Sequence, residues 1–368
     1  MAGQTKEIAT AEEATSAGRL RAVDRPSGRD RRKRLVRALR SRTGLVLELI
    51  ALLVIFWLLG LANGNSLGDL LSLTVWGVML GGILALGSIG LTLAYGVLKF
   101  PNFGQGALLT LGAYATFSLM SLFPESRPLR PFSFGWELLI GLVLSVPIVA
   151  AIALACDFVL FRPLRRLNAS ILIVTMASLA VAFFLRSVVY LGWGANFRFY
   201  YPDRKNPALM LPLGIRIQAD QIFVLALAAF LVFLVYLLLE RTKMGKAMRA
   251  TANNPELAQV RGINTERIIA WTWILSGGMA AAGGVMYGLA AQLWPEMGWD
   301  LVLPMFAATI LGSIGSPIGA LVGSIIVGIA EQLSASFINP AYGEGIAFLV
   351  MVVVLIVRPE GLFAQAGD

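Results

Sequence analysis

The chain has no histidine and one cysteine, Cys156, among its 368 residues. A single cysteine excludes an intrachain disulfide. The lack of histidine removes the commonest metal ligand and the side chain that ordinarily titrates near neutrality. Other catalytic equipment is missing too: no HExxH pair, no paired acids in a polar setting, and no GxxxxGK[ST] phosphate loop, since Gly245 and Lys246 lack the upstream glycine. Neither a catalytic residue, a resident metal nor a cofactor is therefore expected. Charge is also scarce, at 14% of residues against 57% hydrophobic.

What is present in quantity is uninterrupted apolar sequence. Residues 70–98, 103–123, 138–156, 222–239, 268–295 and 301–330 contain no Asp, Glu, Lys or Arg. A helix needs roughly 20 such residues to span hydrocarbon. The runs lack the alternation of a membrane barrel, and helices satisfy their own backbone hydrogen bonds. The expected fold is all-α, a polytopic transmembrane helical bundle with spans at 45–62, 72–95, 103–123, 136–158, 171–192, 222–239, 268–291, 302–315, 317–338 and 344–357. That is about ten crossings, or eight if 301–340 forms a re-entrant hairpin.

Three segments follow: a basic tail over 1–43, a transmembrane domain over 44–363, and a short end at 364–368. The net charge of +9 comes largely from the tail, where Arg29, Arg31, Arg32, Lys33, Arg34, Arg37, Arg40 and Arg42 precede the first span. Beside a bilayer such a cluster is a topology signal and a contact for anionic lipid, so nucleic acid is not an expected partner. A cleavable secretory signal is disfavoured because the apolar stretch starts late. With the tail cytoplasmic, the loops carrying Arg162, Arg165, Arg166 and then Arg241, Lys243, Lys246, Arg249, Arg261 and Arg267 also fall inside, as does Arg358. Both termini are then cytoplasmic. The outer loop 193–221 fits less well, because Arg198, Arg204, Lys205 and Arg216 are only partly offset by Asp203 and Asp220.

Ten spans divide into two five-helix halves of opposite topology, an inverted-repeat plan recurrent in transporters. Glycine pairs four apart, Gly77 with Gly81, Gly284 with Gly288 and Gly319 with Gly323, predict close helix packing. Charges inside spans are few. Arg186 and Glu331 lie toward the outer ends of theirs, where a mutual pair or snorkelling to the headgroups is open to them. Asp157 and Glu48 lie near inner ends and can reach the interface. Trp193, Trp294 and Trp299 fit an interfacial belt. Asn102 and Gln105 stand at the Pro101 break, where they can line a solute path or bond helix to helix.

The loop RTKMGKAMRATANNPELAQVRGINTERI, residues 241–268, is too polar and long for a turn. Helix formers run to Thr251, Asn253-Asn254-Pro255 restarts a helix and Gly262 stops it. A helix pair of this kind presents a knob to a protein partner, although an interfacial helix on lipid would share its basic character. Gly245, Arg249, Ala250, Asn254, Pro255, Ala258, Gly262 and Ile263 resemble, in order, the coupling segment of permeases in bacterial ABC importers of the branched-chain amino acid family. LTLAYGVLKFPNFGQGALLTLGAY at 91–114 and VRPEGLF at 357–363 resemble two further stretches of that family. The likeness covers roughly 70–363. It departs where many members carry His, Gly and Glu after the Asn-Phe pair, since Gln105, Gly106 and Ala107 stand here.

The resemblance implies a permease subunit of an ATP-driven importer for branched-chain or other small amino acids. It implies partners: two cytoplasmic ATP-binding subunits that use the ATP, a second permease, identical or homologous, and a periplasmic solute-binding protein. It places the chain in the bacterial inner membrane. A permease for urea or short amides, and a stand-alone channel or secondary carrier, are the competing readings. Candidates for the translocation path are Asn102, Gln105, Arg186 and Glu331.

Overall fold

A computed structural model describes residues 42–124, 127–202, 209–210, 216–357, 359 and 361–363. The basic tail, Asp203, Arg204, Lys205, Arg358, the end at 364–368 and the side chains of Arg42 and Glu48 lie outside the described residues. The chain divides into a unit up to Ile50 and a unit from Ala51 onward, and the packing is that of the second.

Every span expected from the apolar runs is a helix. They are α1 (Arg42–Ala62), α2 (Leu67–Leu98), α3 (Gly104–Met120), α4 (Trp136–Cys156), α6 (Ile171–Trp193), α7 (Ala219–Arg241), α10 (Thr265–Ala290), α11 (Met297–Gly312), α12 (Pro317–Ser334) and α13 (Gly343–Val357). Among the described residues six helices are long and apolar enough to cross a membrane, counting α4 with its extension, and α11 is among the shorter apolar ones. That extension is a π-helical turn, Asp157–Phe161, followed by α5, Arg162–Arg166. The polar loop forms α8 (Lys243–Asn253) and α9 (Pro255–Val260). A two-residue ladder pairs β1 (Leu209–Met210) with β2 (Arg216–Ile217).

Local signals explain the boundaries. Ser66 caps α2 by accepting from the Asp69 amide at 3.2 Å, and the helix ends at Lys99, left-handed at φ 61°, just before Pro101. Ser170 caps α6, which stops at Gly194 with φ 79°. Ser316 caps α12 with Pro317 in its first turn, where a missing N–H costs nothing.

The helices α2, α10 and α12 are the centre of the packing. α2 lies along α12 and also meets α10, α7 and α11, while α10 packs on α3 and α4. Glycine makes these approaches possible. A Cβ on Gly77 would come within 2.5 Å of Ile329 Cα and one on Gly81 within 2.6 Å of Ile325 Cα, so α2 and α12 meet backbone to backbone. Gly284 meets the Leu109 carbonyl of α3 in the same way, and Gly319 and Gly323 meet Gly312 and Ala308 of α11. Close backbone contact of small residues is the main attraction between helices in lipid, where no hydrophobic effect separates one apolar surface from another.

The α11–α12 turn receives the carboxyl-terminal motif. Leu362 donates its amide to the Leu311 carbonyl at 2.9 Å, Phe363 donates to Ser313 Oγ at 3.2 Å, and Leu362 is buried. Gly361, at φ 84°, would bring a Cβ to 2.5 Å from Ser313 Oγ.

Candidate coupling loop and translocation path

The residues of the polar loop each have a structural task. Thr242 caps α8 by accepting from the Gly245 amide at 3.1 Å. Gly245 presses on the Leu239 carbonyl at the end of α7, leaving no space for a side chain. Arg249 reaches back across that corner, donating to the Leu239 carbonyl at 2.6 Å and to Glu240 Oε1 at 3.1 Å. The Ala250 carbonyl accepts from the Asn254 amide at 3.1 Å. Asn254 Oδ1 then accepts from the Leu257 amide at 2.9 Å, and Pro255 opens α9. Ala258 is buried and its carbonyl accepts from the Ile263 amide at 3.0 Å, while Gly262 takes φ 83°. Ile263 packs against the core cluster beneath. These eight positions therefore build one rigid elbow, with α8 seated on α7, α2 and α10, and α9 on α8 and α10.

The four path candidates fall in three places. Gln105 is fully buried and ties three helices, donating to the carbonyls of Gly87 at 3.3 Å and Ser276 at 3.2 Å and accepting from Ser276 Oγ at 2.9 Å. Its neighbour Gly106 meets Gly298 backbone to backbone, so the first turns of α3 and α11 cross there. Asn102 is buried beside it. Its Oδ1 accepts from the Gly104 amide at 3.1 Å, while Nδ2 has no partner. Ser178 of α6 lies against the break, accepting from the Phe103 amide at 3.2 Å, with its one hydroxyl hydrogen shared between the carbonyls of Thr175 at 2.7 Å and Pro101 at 3.2 Å.

Arg186 and Glu331 are not paired with each other. Arg186 lies 3.4 Å from Glu296, which also accepts from Tyr190 Oη at 3.1 Å, and stacks over Phe183 and Trp299. Glu331 instead faces Gly343 of α13, with Oε2 buried and unpartnered. The tryptophans placed in an interfacial belt make internal contacts: Trp193 donates to Ser118 Oγ at 2.8 Å and Trp294 to Asp300 Oδ2 at 3.0 Å. Asp157, just beyond the end of α4, has a protein partner. It is buried and bound by both terminal nitrogens of Arg165, at 2.6 and 3.3 Å.

Comparison with known proteins assigns this architecture. The family model described as the permease component of the branched-chain amino acid transport system matches residues 73–355. The chain belongs to that permease family. It is 31% identical over 302 residues to the high-affinity branched-chain amino acid transport system permease protein LivH of Escherichia coli K12, covering 78% of this chain and 94% of that one. A probable LivH of Methanocaldococcus jannaschii is 31% identical, over 76% of this chain and 88% of its own. BraD of Pseudomonas aeruginosa, another high-affinity branched-chain amino acid permease protein, is 28% identical over 78% and 94%. No solved structure matches the chain.

Within this permease the three family-like stretches fall on contact points: the elbow at 245–263, the Asn-Phe break with Gly112 against Ala281 of α10, and the docked Gly-Leu-Phe end. Sequence reasoning missed the residues the elbow presents outward. Leu257 is 55% exposed and Val260 83% exposed, on the side of α9 away from buried Ala258. Their spacing of three around a buried alanine was the available signal, since i and i+3 share a helix face.

Proposed function

We propose that this permease is a membrane subunit of an ATP-driven importer for branched-chain amino acids, and that α8 and α9 are its contact with the ATP-binding subunits. Family membership supports the solute class. The observation that carries the coupling role is the exposed apolar pair Leu257 and Val260 on a braced elbow. A solvated linker has no use for such a pair, and large exposed side chains beside charged ones suit a protein partner. In this reading two cytoplasmic ATP-binding subunits, a second permease and a periplasmic solute-binding protein complete the machine. ATP is used by the partners alone. The elbow and both termini face the cytoplasm of a bacterial inner membrane.

The same proposal includes an inverted repeat. Exchanging α1, α2, α3, α4 and α6 with α7, α10, α11, α12 and α13 converts most of the packing into itself. α3 on α4 and α6 becomes α11 on α12 and α13, α2 on α12 becomes α10 on α4, and α2 on α11 becomes α10 on α3. The contacts of α2 with α7 and of α12 with α13 have no counterpart of similar extent among the described residues. Of the path residues Asn102, Gln105, Arg186 and Glu331, Asn102 is supported by its buried, unpartnered N–H.

Uptake of labelled leucine into proteoliposomes holding the full complex tests the reading. Uptake is expected only with ATP inside and binding protein outside. Uptake with neither makes the chain a stand-alone carrier.

A further inference from the structure

The elbow leads directly into α10, and the start of α10 is tied to the end of α4 by ions. Gln259 of α9 donates to Thr265 Oγ1 at 2.9 Å, so the knob is fastened to the first turn of α10. The next residue, Glu266, lies 3.0 Å from Arg162 Nε and 3.7 Å from Arg165 Nη2. Arg165 in turn holds Asp157, whose side chain is only 6% exposed. Asp157 opens the π turn, and Phe161 closes it, stacked on Trp273 of α10 and tilted against Phe100 with centroids 5.0 and 5.3 Å away. Elbow, α10 and α4 are thus joined without a break.

Two features distinguish this cluster from an ordinary surface ion pair. Arg165 stands between two carboxylates, bidentate on Asp157 of the π turn and at looser range from Glu266 of α10. Arg162 Nε is close to Glu266 but not aligned as a hydrogen bond, so the α10 side of the cluster has slack. The helix is also irregular at this point, because a π turn is a rare single-turn insertion that is frequent at functional sites. The physical warrant for transmission between distant sites is an element with two discrete arrangements, and one arginine within reach of two acids on two helices can supply them.

We infer that Arg165 is a shared counter-ion which shifts from Asp157 toward Glu266 as the elbow moves, passing the motion of α8 and α9 through α10 to α4. Asp157, Arg162, Arg165 and Glu266 are positioning residues that act through the helices and touch neither solute nor ATP. The inference rests on the coupling role proposed for the elbow.

The test uses the complete complex in proteoliposomes and reads solute moved per ATP hydrolysed. Glu266→Gln keeps size and removes the second acceptor. It is expected to assemble and hydrolyse ATP while the ratio falls by about 2- to 30-fold, the range for residues along a coupling route. Glu266→Asp, which keeps a carboxylate on α10 for Arg165, is expected to retain most of the ratio. An unchanged ratio in Glu266→Gln overturns the inference. So does failure of both variants to assemble, which marks a purely structural tie. A wild-type complex that moves solute without ATP removes the functional reading and the inference together, whereas a coupled wild type with an unaltered variant removes only the inference.

Discussion

The helices α10 and α7 are both apolar and both long enough to cross a membrane, yet 67% of the apolar stretch of α10 is buried against 22% in α7. Hydropathy does not explain the difference, because α7 has the more apolar side chains. Glycine does. α10 carries Gly277, Gly278, Gly283, Gly284 and Gly288, and α7 has none. In lipid a leucine gains little by turning inward, so the centre of the bundle goes to the helices whose backbones can come closest. Phe230 and Phe233, each 55% exposed, show the opposite solution on α7: large side chains facing outward.

The largest expected effect comes from placing bulk at such a crossing. Gly284→Leu would put its side chain into the Leu109 carbonyl and the backbone of α3 at Ala113. Overpacking a well-filled interior costs about 1–3 kcal/mol and more where backbone must move. Most of the folded protein should be lost, read as the fraction surviving brief heating in detergent. Survival at the wild-type level would mean that the α3–α10 contact is not tight.

The next effect should spare folding and strike the elbow. Gly262 has nothing within 4 Å of a missing Cβ, so Gly262→Val meets no clash and only the left-handed backbone at φ 83° resists it. That costs roughly 1–2 kcal/mol for a residue with a side chain. Normal membrane insertion with ATP hydrolysis uncoupled from uptake is the expected result, as it is for Pro255→Ala. Normal transport by both would release the elbow from its role. Leu257→Asp with Val260→Asp should weaken recovery of the ATP-binding subunits on affinity purification, and unaltered recovery would show that they bind elsewhere.

The same contrast explains what could be read ahead of the structure. Spans were readable because their signal is local, a long apolar run with few charges, within which Ser66, Ser170 and Ser316 start α2, α6 and α12, and Lys99 and Gly194 end α2 and α6. The elbow was readable for the same reason, since the Asn-Pro restart and the Gly262 stop act within a few residues. Partnerships across the chain were not. Arg186 found Glu296, which lies in a segment read as a loop, and not Glu331. The π turn at Asp157 leaves no periodic mark because one extra residue in an apolar run changes no composition. Which helices are central was hidden in the glycine pairs, whose partners only the fold identifies.

A smaller effect is expected at Gln105, where polar contact replaces backbone contact. Gln105→Leu removes the ties to Gly87 and Ser276 while keeping similar volume. Hydrogen bonds between helices in lipid contribute about 0.6–2 kcal/mol, so a modest fall in thermal survival should accompany near-normal yield. A loss as large as that of Gly284→Leu would make the polar tie, and not the glycine crossing, the main attachment of α3.

The smallest effect should come from a glycine that the packing does not use. Gly192 sits near the end of α6 with nothing within 4 Å of a Cβ, and α6 is as exposed as α7. Gly192→Ala removes an entropic weakness in a helix and adds no contact, so it should leave survival unchanged or raise it by under about 1 kcal/mol. If it destabilised the complex while leaving the isolated chain untouched, that face of α6 would be covered by another subunit. Glycine would then mark a close approach there as it does in α10, between chains and not within one.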